Sequence, residues 1–289
     1  IQGLGAGVSW SVGNAIVHDI YKGKAFEKAI ITLHIIIGTM VAISPALGGY
    51  VGNIIGWRYS FQLIASLGCL LFIYSMFLLP ETLQSKKTTI NLKNILEDYL
   101  TLFKNPTYTK FLIIKVLMVS IAFVNITNLP LLFVETHRTS VESCGLLMAL
   151  GASMFVVGGM ICNKLVNYFS TNDIIKYSLY LIALSSVTLI IGEWLGYLTA
   201  LSIQLVKIPY LCGIACIFGN ATHKIVSAVP KLSGSASAIM ITFEMFISSI
   251  GVRLVSTFYD TTIYPMEIYA IIATLISLAV LTKANYQND

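Results

Sequence analysis

The sequence predicts an all-α, polytopic membrane protein of about nine transmembrane helices, on three observations. Hydrophobic residues make up 56% of the 289 residues and charged ones only 11%, whereas soluble domains run near a quarter charged. Mean hydropathy is +0.82, too apolar for a water-facing surface around a core of this size. The apolar residues also come in runs of about 20, the length with which a helix crosses a hydrocarbon core of about 30 Å. Barrel strands would need only about 9–11 residues and would alternate polar with apolar. These runs do not alternate.

Windows of that length place spans at 1–20, 29–50, 59–79, 110–132, 143–163, 174–194, 196–219, 234–257 and 264–282. The first holds Gly3-Leu4-Gly5-Ala6-Gly7. A dinucleotide loop would need a third Gly where Val8 stands, and Gly3 and Gly7, four apart, suit close helix packing instead. A polar stretch at 22–28 separates it from the second span, in which Pro45, Gly48 and Gly49 predict a bendable helix end that serves as a hinge or as packing. The third span follows a break at 53–58. A long polar segment then divides the chain into 1–83, a linker at 84–108 and 109–289. Within the linker Leu92, Ile95, Leu96, Tyr99 and Phe103 recur at helical spacing, which predicts an amphipathic helix at the membrane interface. It serves as a connector or as a regulatory surface.

In the fourth span Asn125, Thr127 and Asn128 precede Pro130, a pattern that re-satisfies backbone groups freed by proline and lines a cavity or packs a kink. Breaks at 135–143 and 164–176 bound the fifth span and open the sixth. The seventh is set off from the sixth only by Gly192 and Gly196, and a break at 220–233 leads to the eighth. Charges inside spans are costly unless paired or solvated. Lys115 and Arg253 lie near enough to span ends to snorkel and act as anchors. Lys207 and Glu244 sit deeper, at similar counts from the outer ends of consecutive spans, and are expected to pair near the midplane or to line one aqueous cavity.

The basic residues set the orientation. With the 22–28 stretch in the cytoplasm, thirteen of the eighteen Lys and Arg fall on that side, together with the C-terminus, and only Arg58 and Arg138 on the other. That is a strong positive-inside bias. Basic residues scattered between apolar runs speak against a nucleic-acid surface. The five Cys and four His make no metal-ligand spacing, no C-x-x-C or P-loop occurs, and no Ser/His/Asp arrangement is readable. The expectation is a protein that is not an enzyme and uses no metal or cofactor. The chain opens at Ile1 inside an apolar run with no basic n-region, which predicts that upstream sequence is missing.

Several motifs resemble the major facilitator superfamily, specifically its Bcr/CflA-type drug:proton antiporters. Gln2-Gly3-Leu4-Gly5-Ala6, followed by His18-Asp19-Ile20-Tyr21, is similar to the motifs of the family's fourth helix, with His18 where Arg is usual. Ser44-Pro45-Ala46-Leu47-Gly48-Gly49 resembles the antiporter motif G-P-x-x-G-G, with Ser44 for its first Gly, and Gly56-Trp57-Arg58 with Phe61 follows as in the family. Leu79-Pro80-Glu81-Thr82-Leu83, the stretch from Pro130 to Glu135 with Ser140 and Gly145, and Gly234-Ser235-Ala236-Ser237-Ala238 match later motifs in order. The resemblance implies a major facilitator superfamily fold lacking its first three helices, with the spans corresponding to family helices four to twelve. It further implies proton-driven multidrug efflux and drug resistance at a bacterial inner membrane, by a monomer whose partners are lipid, protons and small hydrophobic or amphiphilic substrates. Gln2, Gly3, Gly5, Asp19, Pro45, Gly48 and Gly49 would serve the conformational change, and Asn125, Asn128, Gln204, Lys207 and Glu244 the cavity. Alternatives are a specific metabolite transporter of the same fold, a receptor or scaffold, and an inactive remnant.

Overall fold

The computed structural model describes residues 2–79 and 92–283. It consists of ten α-helices and no strand among those residues: α1 (Gln2–Ile20), α2 (Gly23–Ile54), α3 (Trp57–Leu78), α4 (Leu92–Lys104), α5 (Pro106–Leu131), α6 (Val141–Leu165), α7 (Thr171–Trp194), α8 (Ala200–Ala228), α9 (Ser233–Thr257) and α10 (Tyr264–Lys283). Seven of the described helices are long and apolar enough to cross a membrane, the first at Arg58–Leu78 and the last at Tyr264–Thr282. α1 and α2 occupy the places of the first two expected spans. α4 covers the amphipathic stretch of the linker.

The helix starts follow local chemistry. Asn105 caps α5 by accepting from the Tyr108 backbone N–H at 3.0 Å, with Pro106 in the first turn where its missing N–H costs nothing. Ser140 and Ser170 cap α6 and α7 in the same way, each accepting at 3.2 Å from the N–H three residues on. Thr199 and Ser202 form a reciprocal capping box at α8. Gly196 turns the chain ahead of that box with φ 71°, a left-handed conformation that favours glycine. Past Pro130 the helix widens into a π turn at Leu132–Thr136, closed by the His137 N–H on the Leu132 carbonyl. Proline removes one rung of the helical ladder, and the wider turn takes up the slack.

Three boundaries differ from the sequence expectation. The stretch 22–28 is not a loop, because α2 starts at Gly23 and carries Lys24, Glu27 and Lys28 on its first two turns. α8 starts at Ala200 rather than 196 and continues to Ala228, so Asn220, His223 and Lys224 are helical. Polar residues at a span end are compatible with helix wherever the rod outruns the hydrocarbon, and composition alone misreads them as a break.

The helices interlock through small residues, as expected where lipid gives helices no hydrophobic reason to associate. A Cβ placed on Gly158 of α6 would meet the Cys212 Cα of α8 at 2.5 Å, and one on Gly219 of α8 would meet Ile31 of α2 at 2.6 Å. The main core joins α5, α7, α8, α9 and α10 around Tyr108, Met118, Tyr210 and Met240. Apolar residues of α3 and of the outer faces of α5 to α10 stay exposed, as lipid-facing side chains should.

A candidate transport site of two buried charge layers

Two polar layers cross the packed helices at different depths. The first joins α5, α8 and α10. Lys207 of α8 donates to Glu267 Oε1 at 2.5 Å and to Asn125 Oδ1 at 2.6 Å, and its ammonium lies 4.5 Å from the centre of the Tyr210 ring. Asn125 in turn donates to the Tyr210 hydroxyl at 2.6 Å and to the Ile121 carbonyl at 2.9 Å. Lys207 and Glu267 are buried, and Glu267 Oε2 has no hydrogen-bond partner among the described residues. A buried ion pair holds only with close geometry and further hydrogen bonds, and this one has both. One turn from Lys207, Gln204 is buried against Gly151 of α6. Asn128 donates to the Val124 carbonyl and accepts from Ser256 at 2.9 Å, tying α5 to α9.

The second layer joins α2, α5, α8 and α9. Lys115 donates to the Phe218 carbonyl at 3.0 Å, sits 4.0 Å from the centre of the Phe218 ring and lies 3.4 Å from His34 Nε2. Its ammonium is 3.9 Å from Glu244 Oε1. His34 Nδ1 lies 2.9 Å from the Ile30 carbonyl. A carbonyl only accepts, so Nδ1 carries the hydrogen and Nε2 presents its lone pair to the ammonium.

The expected partnership of Lys207 with Glu244 is therefore wrong. Lys207 pairs with Glu267, and Glu244 faces Lys115. Because α8 begins four residues later than expected, Lys207 lies about 10 Å from its outer end and Glu244 about 20 Å from the matching end of α9, at about 1.5 Å per residue. Lys115 is not a snorkelling anchor either. It is 1% exposed, because neighbouring helices close over it and supply polar partners in place of water. Arg253 is exposed, as an anchor should be. Sequence reasoning missed Glu267 and His34. Glu267 stands in the first turn of α10, where an acid looks like an interface residue, and the one clue was that Lys207 needed a partner at that level.

The remaining candidates lie on α1 and α2. Gln2, Gly3 and Gly5 lie on α1, and Gly5 is exposed. Asp19 is half-buried, its carboxylate 3.9 Å from His18 Nδ1. Pro45, Gly48 and Gly49 lie within α2, with side-chain positions outside the described residues. A groove of about 600 Å³ opens at the far end between α6 and α8, lined among others by His137, Ser143, Leu147 and Thr199. None of the five cavity candidates lines it. All five are buried, and of them Asn125 and Lys207 are joined directly. Among the described residues no group of His, Cys, Asp and Glu could hold a metal ion.

Residues 1–252 match the family described as the Major Facilitator Superfamily. The Multidrug resistance protein MdtL of Shewanella sp. (strain ANA-3) is 24% identical over 245 residues, or 83% of this chain and 60% of that protein. MdtL of Escherichia coli O45:K1 (strain S88 / ExPEC) is 23% identical over 241 residues, covering 83% and 59%. The chain thus spans about three fifths of the length of the curated relatives it matches. Two solved structures share the fold. A bacterial homologue of the iron transporter ferroportin in an outward-facing state superposes with TM-score 0.71 at 14% identity, over 97% of this chain and 69% of that one. The proton:xylose symporter XylE, bound to 6-bromo-6-deoxy-D-glucose, gives 0.62 at 15%, over 93% and 66%.

Proposed function

Because the chain belongs to the Major Facilitator Superfamily, we propose that the protein is a proton-coupled exporter of small hydrophobic or amphiphilic compounds in a bacterial inner membrane. The observation that carries this reading is the pair of buried lysine–carboxylate contacts, Lys207–Glu267 and Lys115–Glu244, inside a bundle of membrane helices. Ionisable side chains at membrane depth are costly and are characteristic of ion and substrate pathways. The relatives named for multidrug resistance support a drug-like substrate class, and the antiporter-like Pro45, Gly48 and Gly49 support exchange of the Bcr/CflA type. In this reading the lysine-rich ends of the helices and the C-terminus face the cytoplasm. Residues 1–83 and 109–289 belong to two bundles joined by the 84–108 linker, and they rock about a central site. Asn125, Gln204, Lys207 and Glu267 contribute one polar wall of that site and Glu244 another, Asn128 bracing α5 on α9.

The test is export of a panel of fluorescent dyes and antibiotics from vesicles containing the intact protein, with and without an imposed pH gradient. Export of several unrelated amphiphiles that stops when a protonophore collapses the gradient is the expected result. Movement of one metabolite only, or export indifferent to the gradient, would remove the multidrug or the proton half of the reading respectively.

A further inference from the structure

The acids of the two charge layers are held very differently. Glu267 is locked at hydrogen-bond distance to a lysine that is also bonded to Asn125. Glu244 is 2% exposed, stands 3.9 Å from its lysine, and its Oε1 has no hydrogen-bond partner among the described residues. Lys115 does not depend on Glu244. The Phe218 carbonyl, the Phe218 ring and His34 Nε2 all remain to it if the carboxylate loses its charge. Neutralising Glu267 would take from Lys207 its one charged partner at hydrogen-bond distance; neutralising Glu244 takes from Lys115 a counter-charge at the longer distance of 3.9 Å and leaves its hydrogen-bonding partners in place.

We infer that Glu244 is the proton-binding group of this exporter and that Lys115, held against His34, passes its charge state to α2. This rests on the proton-exchange reading above. A proton from water adds to the Glu244 carboxylate and leaves again from the resulting acid, with no other bond made or broken. While the carboxylate is charged, the ammonium is shared between α9 and its partners on α2 and α8. Once it is neutral, the ammonium withdraws toward His34 and the Phe218 carbonyl and grips α2 harder.

The α8 thiol Cys216 stands two residues from Phe218, and among the described residues no other charged side chain touches this cluster. Facing it are His34 from α2, Lys115 from α5, the Phe218 carbonyl from α8 and Glu244 itself from α9. His18 of α1, Glu27 of α2, Lys110 of α5, His223 of α8 and the charged residues of α4 lie a turn or more toward the lysine-rich end. Lys207, Glu267 of α10 and Arg253 lie toward the other.

Dicyclohexylcarbodiimide, an apolar reagent for protonated buried carboxyls, tests the site on the unaltered protein in phospholipid vesicles, with modified residues located by mass spectrometry. Glu244 should be labelled, less so as pH rises, and Glu267 spared. Absence of label on Glu244 at every pH, or equal labelling of Glu267, overturns the assignment. Ethidium export driven by a pH gradient provides the second arm. Glu244→Gln should abolish the dependence on the gradient, and Glu244→Asp, which keeps the acid, should retain part of it. Gradient-driven export by Glu244→Gln equal to that of the parent overturns this inference alone. A parent that exports ethidium regardless of the gradient overturns the exchange reading beneath it.

Discussion

Lys207 and Glu267 show how much a single buried pair can hold. Both are essentially inaccessible, and the ammonium is shared with Asn125 and the face of Tyr210. Lys207→Met leaves a carboxylate buried without a counter-charge and should cost about 3–5 kcal/mol of stability. The double variant Lys207→Met/Glu267→Leu should recover most of that loss. Unfolding in mixed micelles checks both, and a double variant as unstable as the single one would show that the two do not act as a unit. Sequence alone flagged Lys207 and Glu244 because an intramembrane charge is conspicuous in an apolar run. It could not pair them, since partner choice depends on helix phase and depth, and a four-residue error at the start of α8 shifts the depth by about 6 Å. His34 was illegible for another reason: a lone histidine on an apolar helix carries no signal until Lys115 is seen beside it.

Helix by helix, contact quality sorts the glycines that composition leaves alike. Gly158 and Gly145 both lie on α6, yet a Cβ on the first would strike the backbone of α8 and one on the second would meet nothing within 4 Å. Gly158→Ala should therefore destabilise by about 1–3 kcal/mol, the usual cost of overpacking. Gly145→Ala should be neutral or gain up to about 1 kcal/mol from helix propensity. Thermal unfolding of the two variants side by side separates the cases. The cysteines sort the same way: Cys69 on α3 is exposed, whereas Cys162 and Cys216 are buried between α6 and α8. A lipophilic maleimide should modify Cys69 and spare the other two, and labelling of Cys162 at a comparable rate would contradict the tight α6–α8 seam. The existence of the long helices and of α4 was legible because hydrophobic runs and helical periodicity are local properties. Their ends were less so, as α2 shows. Lys24, Glu27 and Lys28 look like a loop in composition, but nothing in their chemistry stops a helix.

At the scale of the whole molecule, the sorting of lysines to one end of the helices predicts which surface each connection meets. Cysteines introduced at positions 86 and 138 and probed in intact cells with an impermeant thiol reagent should react only at 138. Reaction at 86 with protection at 138 would invert the topology. The length of α2 adds a constraint of its own. At about 1.5 Å per residue its 32 residues make a rod of about 48 Å, against a hydrocarbon slab of about 30 Å. Leaning alone would need a tilt of about 50°, about two and a half times the customary tilt of about 20°, so in a bilayer the end bearing Lys24 and Lys28 is expected among the headgroups. There it is a tiller in the lipid phosphates. A thinner bilayer, or one richer in anionic lipid, would draw on those two ammonium groups and swing the far end of the same rod, where Pro45, Gly48 and Gly49 sit.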